Sequence, residues 1–166
     1  VFSIKRKIQS NGFSLIEVLI TLLIVSFGLL GMAALVVSGA RSNNIAYYRS
    51  VASKQTEDIA DRMRANIAGV SAGAYDALSA NIPSSVDCVA TTCSPAQIAT
   101  YDHALWNTAN ARLLPGGVGT VNGNQAAGYS ITLMWTEKEM ADDPNPKPIC
   151  PGGVENTQCF VTRFAP

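Results

Sequence analysis

The sequence predicts an α+β protein: one long N-terminal α-helix, its first half transmembrane, packed by a small C-terminal head with an antiparallel β-sheet. Three observations lead there. Residues 13–40 form an apolar run whose only formal charge is Glu17. Beyond it Ile45, Tyr48, Ala52, Ile59, Met63 and Ile67 recur at helical spacing. Later, Tyr129, Ile131, Leu133 and Trp135 alternate with Ser130, Thr132, Met134 and Thr136, as in a half-buried strand. A length of 166 residues suits one domain plus an anchor.

The apolar run is the first element. As a helix it would measure about 42 Å, more than a hydrocarbon core of about 30 Å requires. Lys5, Arg6 and Lys7 precede it, so the positive-inside rule keeps that end cytoplasmic and the remainder is exported. A secretory signal peptide, with Ser38-Gly39-Ala40 as its cleavage site, would have a shorter apolar region and no glutamate. A plain signal anchor fits the length but explains neither Gly12-Phe13 nor Glu17. A charge in such a segment costs roughly 2.5 to 3.5 kcal/mol at the helix centre, less near the ends, and usually marks function.

The stretch Gly12-Phe13-Ser14-Leu15-Ile16-Glu17-Val18 resembles the processing signal of type IV pilins and of the pseudopilins of type II secretion. The resemblance implies a pilin-like fold and cleavage by a prepilin peptidase between Gly12 and Phe13. It also implies N-methylation of Phe13 and retention of the apolar helix, with Glu17 as the fifth mature residue. Four regions follow: a cytoplasmic leader (1–12), a transmembrane and filament-core half-helix (13–40), an amphipathic half-helix (41–68) and a periplasmic head (69–166). The physical case for Glu17 is pairing. In a filament core each new chain brings a buried positive amino terminus, and an unpaired buried charge is strongly destabilising. A neighbour's glutamate can pair with that amino terminus. Being one turn from its own helix start, Glu17 also sits at the positive end of the macrodipole.

The second half of the helix is expected to run on to about residue 66, ending before Gly69, with its apolar stripe interrupted by Gln55 and Thr56. Asp58 and Arg62 form an i,i+4 pair in the favourable order. Asp61-Arg62-Met63-Arg64-Ala65-Asn66 reads physically as a solvated helix end whose arginines suit the negative pole of the dipole. With Ala46-Tyr47-Tyr48-Arg49-Ser50 upstream, it also resembles the minor-pilin family of type IV pilus modification proteins, PilV.

Past Gly69 the Ala, Ser, Gly and Asn content reads as loop, broken by Pro83. Ser94-Pro95-Ala96-Gln97 then gives a serine N-cap, proline at the first helical position and a capping-box glutamine. Ile98, Tyr101, Leu105, Ala109 and Leu113 continue as one apolar face. The run from Cys93 through Trp106 again resembles the PilV family. After Pro115-Gly116-Gly117 a short strand is expected over 118–121, then a hairpin turn at Asn122-Gly123 and the alternating strand. A proline-rich loop over 143–151 resists regular pairing and leads to a last strand at 160–164.

Cys88, Cys93, Cys150 and Cys159 occur as two close pairs, and four cysteines allow three connectivities. In an exported domain they read as disulfides, each worth typically 2 to 4 kcal/mol, with short loops on the low side. A CxxxxC spacing with a lone histidine makes a poor zinc site, and no metal or cofactor is implied. The second cysteine pair resembles the disulfide-bounded loop of pilin heads. His103 is the only histidine, and Asp102 beside it is expected on another helix face. It reads as a partly exposed helix residue rather than part of a catalytic triad. Gly116-Gly117-Val118-Gly119 lacks the lysine and helix of a phosphate loop.

Without the leader, nine basic residues face twelve acidic ones, a formal charge of −3 that gives nucleic acid no electrostatic footing. The sequence thus points to a non-enzymatic minor pilin that primes type IV pilus assembly and enters the fibre near its tip. The alternatives are a type II secretion pseudopilin and a signal-anchored periplasmic binding domain. The resemblance implies the prepilin peptidase, other minor pilins, the major pilin and the membrane as partners, and leaves room for a tip-associated adhesin.

Overall fold

The computed structural model describes residues 12–136, 150 and 157–166. The chain divides into two units, Val1–Ile45 and Ala46–Pro166. Helix α1 covers Leu15–Ala65 and contributes to both. Its first part is long and apolar enough, by length and composition, to cross a membrane. Every side chain from Leu15 to Asn44 there is exposed.

In the second unit α1 buries Ala52, Ile59 and Met63 completely and Tyr48 by half; Ile45, the last residue of the first unit, is half-buried as well. Two departures from the expected stripe have local causes. Thr56, read as an interruption, is buried: its hydroxyl donates to Ser53 O at 2.8 Å, so the polar group is satisfied within the helix. Ile67, read as part of the stripe, is 49% exposed, because the backbone leaves helical geometry at Asn66 (φ −114°, ψ 58°) and restarts as α2, Ile67–Ser71, with Gly69 inside it. Asn66 Oδ1 accepts the Gly69 N–H at 3.1 Å, capping the new helix.

The supposed loop after Gly69 holds a buried Tyr75 and a two-residue strand β1, Ala77–Leu78. Helix α3, Pro95–Leu113, starts with the expected capping box: Ser94 Oγ accepts from Gln97 N and Gln97 Oε1 from Ser94 N. Its buried face is not the expected one. Leu105 and Leu113 are 40% and 43% exposed, while Asp102, His103, Trp106, Asn107 and Asn110 are buried. The reason is hydrogen bonding: Asp102 meets Arg62 of α1, His103 and Asn107 share Ser79 O just after β1, Asn107 also bonds the backbone of Gly119 and the Asn110 amide, and Trp106 fills the core beside them.

Strands β2 (Val118–Asn124), β3 (Gly128–Thr136) and β4 (Thr157–Phe164) complete an antiparallel sheet in the order β1-β2-β3-β4. The hairpin turn lies three residues later than expected. Asn122 and Gly123 sit within β2, opposite Ser130 and Tyr129, and the loop is residues 125–127. Asn124 Oδ1 accepts from Ala126 N and Ala127 N, and Gly128 closes the loop at φ +81°, a conformation that favours glycine. Strand β3 is covered on both faces, since Thr132 and Met134 are buried along with the inward series. Met134 lies opposite Cys159 in register, so the disulfide there lies on its face of the sheet. Of the proline-rich loop at 143–151, only Cys150 falls within the described residues; β4 begins at Thr157, earlier than 160. The core joins Ile59 and Met63 of α1 to Trp106 of α3 and to Val121, Ile131 and Leu133 of the sheet.

Candidate processing and assembly segment

Gly12, Phe13 and Ser14 precede the helix, and Ser14 O begins its ladder by accepting the N–H of Glu17 at 3.0 Å and of Val18 at 3.3 Å. A Cβ built on Gly12 meets nothing within 4 Å, and Phe13 is fully presented, so the Gly12-Phe13 bond is open to an enzyme among the described residues. Glu17 is exposed in the first helical turn. Two polar side chains further along the run are satisfied internally: Thr21 Oγ1 donates to Val18 O at 2.9 Å and Ser26 Oγ to Leu22 O at 2.7 Å. Self-satisfied hydroxyls can enter hydrocarbon cheaply, whereas a carboxylate cannot. This leaves Glu17 as the one group over 13–40 that calls for a charged partner.

The head carries a second polar constellation that the sequence did not disclose as such. Arg62 Nε donates to Asp58 at 2.8 Å, the expected pair, and its Nη1 reaches Asp102 of α3 at 3.2 Å. Tyr75 Oη donates to the other Asp102 oxygen at 2.6 Å and accepts from Asn66 Nδ2 at 3.1 Å. Asn66 Nδ2 also donates to Pro95 O at 2.8 Å. The end of α1 is therefore pinned to α3 and is not the solvated terminus expected. Outside this network, Arg64 caps the Phe164 ring with its guanidinium carbon 4.6 Å from the centroid. Burial pulls the Arg62 pKa down, but the Asp58 and Asp102 carboxylates outweigh it and the net shift is upward. Burial, reinforced by the bond to Asp102, raises the Tyr75 pKa well above its usual value.

His103, expected to be partly exposed, is buried with Nε2 2.7 Å from Ser79 O. That distance to a carbonyl assigns the proton to Nε2. Asn107 Nδ2 donates to the same carbonyl at 3.1 Å, so the two nitrogens, 3.2 Å apart, lie side by side as donors. Both Asp102 and His103 are turned inward, and each is engaged by a different partner set. Asn107 also bonds both backbone groups of Gly119: Gly119 N donates to Oδ1 at 2.8 Å, and Nδ2 donates to Gly119 O at 3.1 Å. Only glycine fits there, because a Cβ would collide with the Trp106 ring. The signal in the sequence is the polar spacing 102/103, 107 and 110, as regular as the apolar one. Read as a buried face it would have found the site.

Disulfides join Cys88 to Cys93 and Cys150 to Cys159, one of the three connectivities open to four cysteines. Among the described residues no group of three or more His, Cys, Asp or Glu side chains is placed to hold a metal ion. Residues 8–33 match the family model described as the prokaryotic N-terminal methylation motif. No curated protein and no solved structure matches the chain. The motif indicates a protein of the type IV pilin or pseudopilin kind, implies processing by a prepilin peptidase and assembly with other pilins, and fits membrane anchoring through α1.

Proposed function

We propose that this chain is a minor pilin of the PilV kind that acts in type IV pilus assembly and is incorporated near the pilus tip. Prepilin peptidase cuts between Gly12 and Phe13 and Phe13 is N-methylated. The protein waits in the inner membrane as a single-pass subunit with its head in the periplasm. Other minor pilins and the major pilin then receive its helix, and a tip-associated adhesin is a further candidate partner. One observation carries this reading: the methylation motif at 8–33 opens onto a helix whose first part is apolar and exposed on every side. In water such a surface is unstable; membrane lipid followed by packed neighbouring helices supplies both of the environments it needs. Glu17 supplies register by pairing with a neighbour's amino terminus. The role is structural rather than enzymatic: the buried Asp102 and His103 are occupied in holding α3 to its neighbours.

The test has two arms. Mass spectrometry of the mature protein is expected to find N-methyl-Phe13 at its start; an intact leader, or a start at Arg41, ends the pilin reading. Gly12→Glu, which replaces the one residue that lets the peptidase approach the backbone, should leave only precursor. In a strain lacking the native protein, Glu17→Gln should be cleaved and retained normally, yet lose co-purification with other pilins and surface piliation. Unchanged association would make Glu17 a passive interfacial residue. Loss of protein secretion with pili intact would assign the chain to the pseudopilins, which share the motif.

A further inference from the structure

The two edges of the sheet are treated differently. The outer edge of β2 is satisfied at each alternate residue: Gly119 by the Asn107 side chain, Val121 by its pairing with Leu78 of β1, and Gly123 N by Asp76 O at 3.0 Å. The opposite edge is β4, and among the described residues nothing pairs with it over 160–164. Its register with β3 is continuous from Phe164 to Thr157, with no bulge and no proline, and of the usual devices that blunt an exposed edge it carries one charged side chain, Arg163, opposite Ser130 and also lining the neighbouring cleft. Beside it lies a cleft of about 340 Å³ between β4 and α1. Ser53, Thr56 and Ala60 of α1 form one wall, Phe160 and Thr162 the other, and Glu57 stands at the rim. Phe160 and Thr162 lie opposite Leu133 and Ile131, so they face the core side, and both are only half-covered. Asp61 and Arg64, also at the cleft, pair with each other at 2.6 Å, whereas Glu57 has no ion-pair partner among the described residues.

We infer that β4 is a docking edge for an extended segment of a second polypeptide, which adds a fifth strand over 160–164. Its alternate side chains enter the cleft above Ser53, Thr56 and Ala60, and a basic residue meets Glu57. The backbone of β4 supplies hydrogen bonds, the small side chains of α1 limit what fits, and the Glu57 carboxylate selects the charge. A surface that guards one edge with a buried asparagine, a short strand and a turn carbonyl while the other, among the described residues, is straight and unpaired is built to be continued on that side.

The experiment follows amide exchange at 160–164 by NMR in the full chain in detergent micelles. The probe is a synthetic nine-residue peptide of alternating threonine and valine with a central lysine. In the free protein, alternate amides of 160–164 should exchange fast while their β3-bonded neighbours are slow. With the probe at ten times its Kd, the fast set should slow by about tenfold. Glu57→Lys should weaken binding by about twofold to fivefold, as loss of an exposed ion pair does. Ser53→Trp, which fills the cleft, should abolish binding. The inference fails if the probe adds no protection at millimolar concentration. It fails equally if a copy methylated on alternate backbone nitrogens protects as well. Fast-set amides already slow in the free chain also overturn it, and faster exchange on deleting 139–147 would then identify the occupant as the chain's own segment.

Discussion

In the described part of Val1–Ile45 the apolar side chains face outward, Phe13 and Leu15 each being 84% exposed, whereas in Ala46–Pro166 a helix turns Asp102, His103, Asn107 and Asn110 inward. Both arrangements invert the usual distribution, for different reasons. Exposed apolar surface is stable only where something outside the chain removes it from water, so the first unit is incomplete without lipid or neighbouring helices. Buried polar groups are stable only where partners inside the chain replace water, and in the second unit most have them: carbonyls, a guanidinium, a phenol and one strand edge, with Asn110 Oδ1 and Gln55 Oε1 the exceptions among the described residues. The first inversion announces an assembly and the second a self-sufficient fold. Perturbations should therefore separate cleanly, with the head's stability responding to its polar face and localisation responding to the helix.

The largest effect is expected at Asn107. Its replacement by leucine strands both backbone groups of Gly119 and Asn110 Nδ2 together, and leaves Ser79 O with His103 as its one remaining donor. Leaving such groups unpaired should destabilise the head by about 3 to 5 kcal/mol, in the range that marks a broken buried network. Denaturant unfolding of the full chain in detergent, followed by tryptophan fluorescence, measures it. A loss below about 1 kcal/mol would mean that water replaces the side chain and that the polar face is not what holds α3.

Leu23→Arg tests the other unit. It places a second charge within the apolar part of α1 and should cost about 2.5 to 3.5 kcal/mol of membrane insertion, with the head's unfolding midpoint unchanged. Membrane fractionation beside limited proteolysis of the head reads both. A head that unfolds in step with the loss of insertion would join the two units thermodynamically and break the contrast.

Alkali tests the head through its buried phenols. Burial, with the 2.9 Å bond to Asp76, pushes the Tyr129 phenol up to about 12. The raised folded value means that the neutral form is favoured by folding. Its contribution is complete below about pH 10, the unfolded value, and is lost as pH rises towards 12. Across that window stability should fall by up to about 1.4 kcal/mol per pH unit from this group, and Tyr129→Phe should remove that share of the slope while leaving the share of Tyr75. An unchanged slope in the variant would show that Tyr129 is already ionised or solvent-accessible in the folded protein.

The same contrast explains what the sequence disclosed. The long helix, the capping box at Ser94, the alternation along β3 and the Asp58–Arg62 pair were legible because each depends on residues close in sequence or on simple periodicity. The methylation motif at 8–33 was legible for a different reason: Gly12-Phe13 and Glu17 open an otherwise uniform apolar run. The inward face of α3 was hidden because a helical polar stripe looks the same whether it meets water or the partners that replace it, and those partners, Ser79 and Gly119, lie 12 to 28 residues away. The turn at 125–127 was hidden because Asn122-Gly123 offers a stronger local turn signal, overruled by the pairing of Asn122 with Ser130 and by the Asn124 side chain that closes the loop.

The smallest expected effect discriminates most sharply between the two faces of α3. Its apolar periodicity places Leu105 and Leu113 in the core, where a change to glutamine removes buried methyls and inserts an unpartnered amide, a loss of several kcal/mol. In the structure both leucines lie on the outer side, 40% and 43% exposed, while Ala99, Trp106 and the polar set face inward. Leu105→Gln and Leu113→Gln together should then shift stability by no more than about 1 kcal/mol, the sum of two ordinary surface changes. Trp106→Ala in the same experiment serves as the reference for a true core position, with about 3 to 5 kcal/mol lost through the cavity alone. It also removes the Nε1–H bond to Gln55 O. A double glutamine variant as damaged as Trp106→Ala would turn α3 over, bring the leucines inside, and expose the polar network to water. A near-silent double variant fixes the helix with its polar side against the sheet, and with it the asparagine that closes the β2 edge of that sheet.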